Sequence, residues 1–570
     1  MRNSDPSVIH LLRRKISETL NHASSNKAIK YGVYSASVII FLGLILFPPI
    51  VGIITKAGAL QQILSQPPLV ARALGAVTNS FTVALLVSAL DVVAGVPMAW
   101  LVARGKSKWL NVVDTLADIP FVVPTSALGY SLLLFWNKPE GISALFGGSL
   151  VSQGWLLVIL LHFTFSFPVV VRVLAGALLD YKVEYERASR TLGASPLTAA
   201  RTVTLPILRP SLIAAFILAF ARSISETGAT FIVAQALGGF FENGPVFIQN
   251  ITDAYNAGTA SLATYEGSIV LASLLLIAVA SAIFAFIRIF GPRLKLPLKG
   301  VWPGFERKLS YSKASSSRND VTLLVFLAIV LVPSLWVALP ALRAVFTNTL
   351  SNSLSGAGVW GGYWQSLLLS YSLGAAVTVL NIIIGLPMAI LIARKRLGRL
   401  TSNILDVLIM IPLIVPSIAL GVSLKFFWQQ NLPFVPEILL LIFAHMSITY
   451  PYFVRSISAA VERINIEMEE AARTLGAKPL HVFRTIIFPL TKYSMLSGAI
   501  IVFTRSLSET GATVAVASTL RTAPVIIVDW VKGKVPATSL DIGLGCGILI
   551  LLSFIILLVL RFVSKEKGRS

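Results

Sequence analysis

The chain has 570 residues, of which 55% are hydrophobic and only 13% charged, and its mean hydropathy is +0.81. A soluble protein of this size carries about twice that charged fraction, so the composition excludes an ordinary soluble globular protein. The net charge of +22 does not indicate nucleic-acid binding, because the Lys and Arg residues stand in short loops between apolar runs and form no basic stripe with interleaved aromatic residues.

The N-terminal segment, residues 1–30, is polar and basic and lacks the short apolar core of a cleavable signal peptide. Ile9, Leu12, Ile16 and Leu20 would share one helical face. This pattern leaves two interpretations open: a helix lying along the membrane surface, or a frayed tail.

Apolar runs of roughly 20 residues, long enough to cross about 30 Å of hydrocarbon as helices, follow this segment. In the first repeat, residues 31–290, spans are predicted at 31–55, 77–103, 117–136, 154–178, 210–236 and 266–289. Residues 291–320, rich in Pro, Gly, Ser and basic residues, are predicted to be a linker. In the second repeat, residues 321–562, spans are predicted at 321–345, 366–393, 404–428, 437–459, 491–517 and 540–561, before a tail at 563–570. The fold class is therefore an all-α polytopic membrane protein with twelve spans.

The two sets of six spans are copies of each other. Gly95-Val-Pro-Met-Ala matches Gly385-Leu-Pro-Met-Ala, and Ile119-Pro-Phe-Val-Val-Pro matches Ile411-Pro-Leu-Ile-Val-Pro. Residues 184–230 align with 467–513 without a gap, at an offset of 283, with 24 identities in 47 positions. Two parallel six-helix repeats are therefore related by an axis along the membrane normal.

Loop charge predicts the orientation. Loops 237–265 and 346–365 contain no Lys or Arg, whereas the linker and the segments at both ends of the chain are basic. By the positive-inside rule, both termini and the linker are expected in the cytoplasm of a multi-pass cell-membrane protein.

Two charged stretches interrupt the apolar pattern at equivalent places: EYERASRTLGASPLTAARTVTLP at 184–206 and EMEEAARTLGAKPLHVFRTIIFP at 467–489. In each, good helix formers begin with acidic residues and stop at a glycine, Gly193 or Gly476. A proline three residues later suits the start of a second helix, which Pro206 or Pro489 is expected to end. Each stretch is either a solvated connector or a docking element. Because both copies retain Arg-Thr-Leu-Gly-Ala-x-Pro-Leu, docking is favoured.

The spacing Glu-Ala-Ala, three residues, Gly, nine residues, Ile, one residue, Leu-Pro resembles the signature of permease subunits of bacterial and archaeal ABC importers. The second copy fits it, with Phe in place of Leu, at Glu470-Ala471-Ala472, Gly476, Ile486 and Phe488-Pro489. The first copy fits at Gly193, Val203 and Leu205-Pro206, but Arg187-Ala188-Ser189 stands where Glu-Ala-Ala is expected. The two docking sites are therefore expected to be related but unequal.

The resemblance implies a fused, duplicated permease subunit of a binding-protein-dependent importer, in which each turn is a coupling helix seated on an ATP-hydrolysing subunit. The residues that it assigns to this coupling are Glu184, Glu186, Ala188, Gly193, Leu205, Pro206, Glu470, Ala471, Ala472, Gly476, Phe488 and Pro489. The partners implied are two ATPase subunits, an extracytoplasmic solute-binding protein and the lipid bilayer, with no nucleic acid.

ATP itself is expected on the partners. Gly105-Lys106-Ser107 is similar to the end of a phosphate-binding loop, but Trp100 stands where that motif requires glycine. The residues show no carboxylate pair, nucleophile triad or Cys/His metal spacing. We therefore expect no enzymatic activity, no cofactor and no metal in this chain, with ATP and Mg²⁺ held by the ATPase subunits.

Ionisable residues within predicted spans are candidates for function because burying them in hydrocarbon is costly. The clearest stand in the matched segments FARSISETGAT and FTRSLSETGAT, where Arg and Glu are four residues apart and can meet on one helical face. The candidate pathway and gate residues are Arg222, Glu226, Gly228, Arg505, Glu509 and Gly511. The alternative, weighed evenly, is that the charged residues only hold the fifth spans together across the pseudo-twofold axis.

His162 and His445 are also equivalent, at the same offset of 283. A hydrogen bond between helices is the preferred interpretation for both.

Two other functions remain as alternatives: a twelve-span secondary transporter, which needs no duplicated docking turn, and a structural membrane scaffold. The substrate is left open. A single chain with both halves is similar to iron(III) and thiamine permeases, whereas Glu-x-Gly-Ala-Thr is similar to molybdate, tungstate and sulfate permeases.

Overall fold

The computed structural model describes residues 18, 21, 24–105, 108–117, 119–152, 154–235, 241–293 and 303–564. Every regular element in these residues is helical, which confirms the all-α class. Residues Ile9, Leu12, Ile16 and Leu20 lie outside the described part of the chain.

The α-helices of the first repeat are α1 (Lys27–Ile40), α2 (Phe47–Thr55), α3 (Leu60–Leu64), α4 (Pro67–Arg104), α5 (Lys108–Leu116), α6 (Ile119–Val122), α7 (Thr125–Trp136), α8 (Trp155–Asp180), α9 (Val183–Thr191), α10 (Pro196–Ala199), α11 (Leu205–Ile207), α12 (Arg209–Ser225), α13 (Gly228–Gln235), α14 (Gly244–Asn256) and α15 (Leu262–Phe290). Short 3₁₀ turns lie at Ala57–Ala59, Ile142–Phe146 and Gly291–Arg293.

The α-helices of the linker and the second repeat are α16 (Pro303–Leu309), α17 (Ser312–Val325), α18 (Val332–Leu335), α19 (Ala338–Val345), α20 (Asn348–Ser355), α21 (Gly361–Ala393), α22 (Arg399–Ile414), α23 (Ser417–Asn431), α24 (Glu437–Glu462), α25 (Ile466–Thr474), α26 (Pro479–Val482), α27 (Phe488–Leu507), α28 (Gly511–Val516), α29 (Ala523–Val531) and α30 (Ser539–Ser564). A 3₁₀ turn lies at Gly358–Trp360.

The expected count of twelve spans is not confirmed. Among the described residues, nine helical segments are long and apolar enough to cross a membrane, or eleven if each of two bent pairs counts as one span. In the region predicted as the third span, α7 is a shorter apolar helix, Thr125–Trp136. Its counterpart in the second repeat is one of the bent pairs, with 103° between its two parts.

Proline explains the bend in this region. Pro124 and Pro416 precede α7 and α23 with extended backbone, ψ 137° and 134°. The ring of each proline disfavours helical conformation in the residue before it, so the preceding helix ends and a new one starts at a different angle. The repeated Ile-Pro-x-x-Val-Pro motif is thus a helix break within the hydrophobic region.

Four other prolines each follow a wider helical turn. Pro48, Pro206, Pro333 and Pro489 each stand two residues after a π-helical turn, at Phe41–Leu46, Ala200–Thr204, Phe326–Leu331 and Phe483–Ile487. Proline cannot donate to the carbonyl four residues earlier and crowds it. The wider i→i+5 turn relieves that clash.

The expectation that Pro489 ends the helix after the second charged turn is therefore wrong, whereas the helix after the first turn does end close to Pro206. In the second repeat the helix runs without a break as Pro479–Leu507. In the first repeat it bends by 72° between Ile207 and Arg209, at Leu208, whose ψ is 0°.

The first span of each repeat packs against the other repeat. Ser423 of α23 accepts a hydrogen bond from the Ile53 amide at 2.9 Å and donates to the Pro48 carbonyl at 3.2 Å. Reciprocally, Ser131 of α7 donates to the carbonyl of Pro333, in α18, at 2.7 Å. The two repeats thus exchange their first spans and bury a common core.

Candidate functional sites at the charged turns and on the pseudo-twofold axis

Both charged stretches fold as helix–turn–helix units with the same backbone. Gly193 and Gly476 have φ of +93° and +83°, in the left-handed region where glycine bears little strain. The amides of Ala194 and Ala477 bond back to the carbonyls of Ser189 and Ala472, at 3.2 and 2.9 Å. These bonds satisfy the last carbonyls of α9 and α25 and fix the direction in which the second helix leaves.

The tip of each turn carries an apolar side chain held out from the protein. Leu192 is 89% exposed and Leu475 is 88% exposed. Sequence reasoning noted these leucines only as part of the shared motif. Two leucines fixed at equivalent places on rigid turns form a pair of small apolar contact surfaces.

The residues assigned to coupling by resemblance surround these tips. On the first turn, Glu184 and Ala188 are exposed and Glu186 is half-buried; on the second, Glu470 and Ala471 are exposed and Ala472 is half-buried. Leu205, Pro206, Phe488 and Pro489 lie at the far ends of the second helices, partly or largely exposed. At the motif position where the copies differ, both Arg187 and Glu470 are exposed, so the two turns present opposite charges there.

A buried ion pair attaches the second turn to the spans. Glu469 of α25 is 1% exposed as a side chain and lies 2.7 Å from Arg394, at the end of α21, and 3.5 Å from Arg473. Its counterpart Glu186 has no ion pair among the described residues. Arg104, the counterpart of Arg394, instead lies over the Tyr181 ring. The structure thus adds a second difference between the turns.

A segment preceding the first span of each repeat lies against the second helix of a charged turn. Glu306 of the linker helix α16, which precedes the second repeat, accepts hydrogen bonds from Arg201 and Thr198 of the first turn, at 2.5 and 2.6 Å. The Leu197 amide donates to Ser310, and the equivalent Leu480 amide donates to Ser24, at 3.2 and 3.3 Å. The turns, the linker helix and Ser24 therefore lie on one side of the molecule, called here the turn side.

The fifth span of each repeat is broken within the Ser-Glu-Thr-Gly sequence. α12 ends at Ser225 and α13 starts at Gly228, while α27 ends at Leu507 and α28 starts at Gly511. Each glutamate caps the helix after the break: Glu226 accepts from the Ala229 amide, and Glu509 from the Ala512 amide, both at 2.9 Å. The amides at a helix start lack partners within the helix, so these carboxylates stabilise the restart.

The two breaks meet on the pseudo-twofold axis. Thr125, at the start of α7, donates to the Ser508 carbonyl, and its counterpart Ser417 donates to the Ser225 carbonyl, both at 3.1 Å. A Cβ placed on Gly228 would stand 2.4 Å from the Thr510 hydroxyl oxygen. The two repeats are therefore closed against each other at this level, which we call the central constriction.

The arginines and glutamates of these two segments are buried or nearly so, and each arginine contacts a named partner. Arg505 and Glu509 form an ion pair at 2.7 Å, with side chains 10% and 2% exposed, as their spacing predicts. In the first repeat Arg222 donates from Nε to the Phe165 carbonyl at 3.1 Å. Glu226 is 7% exposed.

Each buried histidine bridges the break in its repeat. His162 lies 2.7 Å from the Ser223 hydroxyl, before the break, and 2.9 Å from the Thr230 hydroxyl, after it. His445 holds Ser506 and Thr513 in the same way, at 2.8 and 2.9 Å. The interpretation of both histidines as interhelical hydrogen-bonding groups is confirmed. The described residues contain no group of three or more His, Cys, Asp or Glu side chains arranged to hold a metal ion.

Comparison with known proteins gives the same duplication. A family model described as "Binding-protein-dependent transport system inner membrane component" matches residues 92–296 and, again, 381–565. The sulfate transport system permease protein CysT of Salmonella typhimurium is 31% identical over 208 residues, covering 34% of this chain and 72% of that protein. The molybdenum transport system permease protein ModB of Mycobacterium tuberculosis is 31% identical over 217 residues, covering 34% of this chain and 81% of that protein.

A second sulfate permease protein CysT, from Synechococcus elongatus, is 30% identical over 246 residues, covering 42% of this chain and 84% of that protein. Each of these relatives thus aligns over most of its own length with less than half of this chain. The chain belongs to the family of inner membrane components of binding-protein-dependent transport systems, as a single polypeptide that fuses two ABC permease units.

Proposed function

We propose that this chain forms the whole membrane pathway of an ABC importer, with two ATPase subunits on the turn side and a solute-binding protein on the opposite side. The turn side is then cytoplasmic, as the basic linker favours. The single observation that carries this proposal is the pair of equivalent, rigid turns with exposed Leu192 and Leu475 at their tips.

The second turn has a direct route for transmitting movement of an ATPase subunit to the spans. Its helix α25 is joined to α21 through Glu469 and Arg394, and it continues through the unbroken helix Pro479–Leu507 to the central constriction. Arg222, Glu226, Gly228, Arg505, Glu509 and Gly511 would then control passage at that constriction. ATP hydrolysed on the partners would alternately open and close it.

For the substrate, we propose an oxyanion such as sulfate, molybdate or tungstate. The relatives named for sulfate and molybdenum transport support this class over iron(III) and thiamine. The Glu-Thr-Gly-Ala-Thr sequence of both constrictions is consistent with the same class.

The test is uptake into vesicles that contain this chain purified with its bound subunits. Labelled sulfate, molybdate, iron(III) and thiamine would each be supplied with the binding protein outside and ATP inside. We expect ATP-dependent uptake of an oxyanion. Uptake that does not depend on ATP but requires a proton or sodium gradient would instead identify a secondary transporter.

Leu475→Ala tests the turn itself. We expect it to reduce ATPase binding and coupled uptake about tenfold or more, since a few residues at the centre of an interface carry most of its binding energy. Leu439→Ala is the matched control, because Leu439 is also exposed, 40%, but lies near the start of α24 on the opposite side. Normal ATPase binding by Leu475→Ala would contradict the proposed docking.

A further inference from the structure

Helices α14 and α29 occupy equivalent places between the last two spans of each repeat. Both begin with a proline at the second position, Pro245 and Pro524. The first amide of each helix donates to a serine of the second span, Gly244 to Ser80 and Ala523 to Ser370, both at 2.8 Å. In this register, position 253 of the first repeat corresponds to position 532 of the second.

These two equivalent positions carry opposite charges and contact each other. Lys532 Nζ lies 3.3 Å from Asp253 Oδ2. The pseudo-twofold axis must pass between two equivalent positions that touch. Identical residues would there bring like charges together, which is unfavourable. A fused chain can place an acid in one repeat and a base in the other.

The lysine of this contact is largely buried. The Lys532 side chain is 8% exposed, and its ammonium lies 3.4 Å from the centre of the Phe231 ring in α13. Phe231 follows the break at Glu226 and Thr227, so the contact sits directly beyond the central constriction. Lys534 also reaches Asp253, at 2.9 Å, and lies 3.6 Å from Asp529.

At this contact, the attraction between the charges is opposed by the cost of removing them from water. Burial by itself would raise the pKa of Asp253. The neighbouring Lys532 and Lys534 outweigh that effect and hold this pKa below its ordinary value. Burial lowers the pKa of Lys532 to about 8, so its charged form loses more from leaving water than it regains from Asp253 and Asp529. Desolvation therefore offsets much of the attraction within this pair.

We propose that Asp253 and Lys532 form a latch that holds the two repeats together beyond the central constriction and that separates in every transport cycle. This inference rests on the proposed function, since an importer needs this end to open for the solute that its binding protein delivers. When the latch separates, the Lys532 ammonium is hydrated again. This hydration offsets the loss of the ion pair. Removing Asp253 alone leaves the ammonium buried against Phe231 with its nearest carboxylate gone.

The test measures the distance between spin labels at Asn256→Cys and Pro536→Cys in the full chain, reconstituted in lipid, with Cys546→Ser. Both label sites are exposed, and Cys546 is buried. We expect Asp253→Asn to shift the population roughly tenfold towards a longer distance. The double variant Asp253→Asn/Lys532→Met should return it to the short distance, because no unmatched ammonium remains buried.

Glu242→Gln is the matched control. Glu242 pairs with Arg72 at 2.6 Å, within the first repeat, so its loss should leave the label distance unchanged. An unchanged distance in Asp253→Asn, or a long distance that persists in the double variant, would overturn the latch. Failure of the proposed function is separate, because it would appear as absent ATPase binding in the unlabelled wild-type chain.

Discussion

Gly511 of the second repeat lies directly against Thr227 of the first: a Cβ on Gly511 would stand 2.5 Å from the Thr227 hydroxyl oxygen. The reciprocal pair, Gly228 and Thr510, is equally close, with a separation of 2.4 Å. The two repeats therefore touch through glycines at the break of each fifth span, where any side chain would force them apart.

Gly511→Ala is expected to open the central constriction by steric pressure, since overpacking of this kind costs about 1–3 kcal/mol. Basal ATPase activity of the assembled transporter should rise, and the thermal unfolding midpoint should fall. Gly75→Ala is the control, because a Cβ at Gly75 meets nothing within 4 Å. If Gly511→Ala, like Gly75→Ala, behaved as the wild type does, the constriction would not be closed by this contact.

His445→Phe should destabilise the break in the second repeat. The substitution leaves the buried hydroxyls of Ser506 and Thr513 without their shared partner, at a cost of about 1–3 kcal/mol for Ser506 and less for Thr513, which still donates to the Glu509 carbonyl. Thermal unfolding in detergent measures this loss. His162→Phe should have the same effect, because its hydrogen bonds are the same, and His481→Phe, at an exposed position, should have none. A stable His445→Phe variant would refute the bridging role.

Gly476→Ala should impair coupling, because a left-handed backbone costs a non-glycine residue about 1–2 kcal/mol. ATP hydrolysis stimulated by the binding protein is the measurement. We expect a weaker effect from Gly193→Ala, since in the described part of the chain the second turn is joined to its spans through a buried glutamate, Glu469, and the first turn is not. Gly304→Ala, in α16 with open space around it, is the control. Equal losses from Gly193→Ala and Gly476→Ala would contradict the inequality of the turns.

Glu306→Gln should release the linker helix from the first turn. The hydrogen bonds from Arg201 and Thr198 lower the pKa of Glu306 below its ordinary 4.5. A lowered carboxyl pKa stabilises the docked form above pH 4.5, and that stability is lost as the pH falls towards the lowered value. The protection of the α16 amides from hydrogen exchange, corrected for the slower intrinsic exchange in acid, should therefore decrease in Glu306→Gln at pH 7, and in the wild type when acidified. Asp320→Asn, at an exposed carboxylate, should not change this protection.

The latch predicts a response to alkaline pH. Lys532, which faces Asp253, Lys534, Asp529 and the Phe231 ring, has a pKa of about 8 in the closed form, against an ordinary 10.5. Between these values the open form binds more protons, so raising the pH favours the closed form. The short label distance between positions 256 and 536 should therefore gain population from pH 7 to pH 10. Lys532→Met should abolish this response, and its persistence there would assign the effect to another group.

Several features could be predicted from the sequence because they depend on residues close together in the chain. The stop at Gly476 and the capped, charged helix before it follow from local backbone preferences, and the offset of 283 reveals the duplication directly. The pairing of Arg505 with Glu509 follows from their spacing. Even local reasoning failed at Pro489, because a π-helical turn absorbs this proline without ending the helix.

The amino-acid sequence by itself thus determined the helical membrane class, the two repeats and the position of both charged turns. Each of these depends on hydropathy and helix signals that arise from residues close together in the chain. Only the tertiary structure decided that the first spans are exchanged, as Ser423 and Pro48 show, and that Glu306 binds Arg201. It alone brought Asp253 to Lys532. These contacts join residues more than 100 positions apart, and their partners are selected by the packing of whole helices, which no local pattern records.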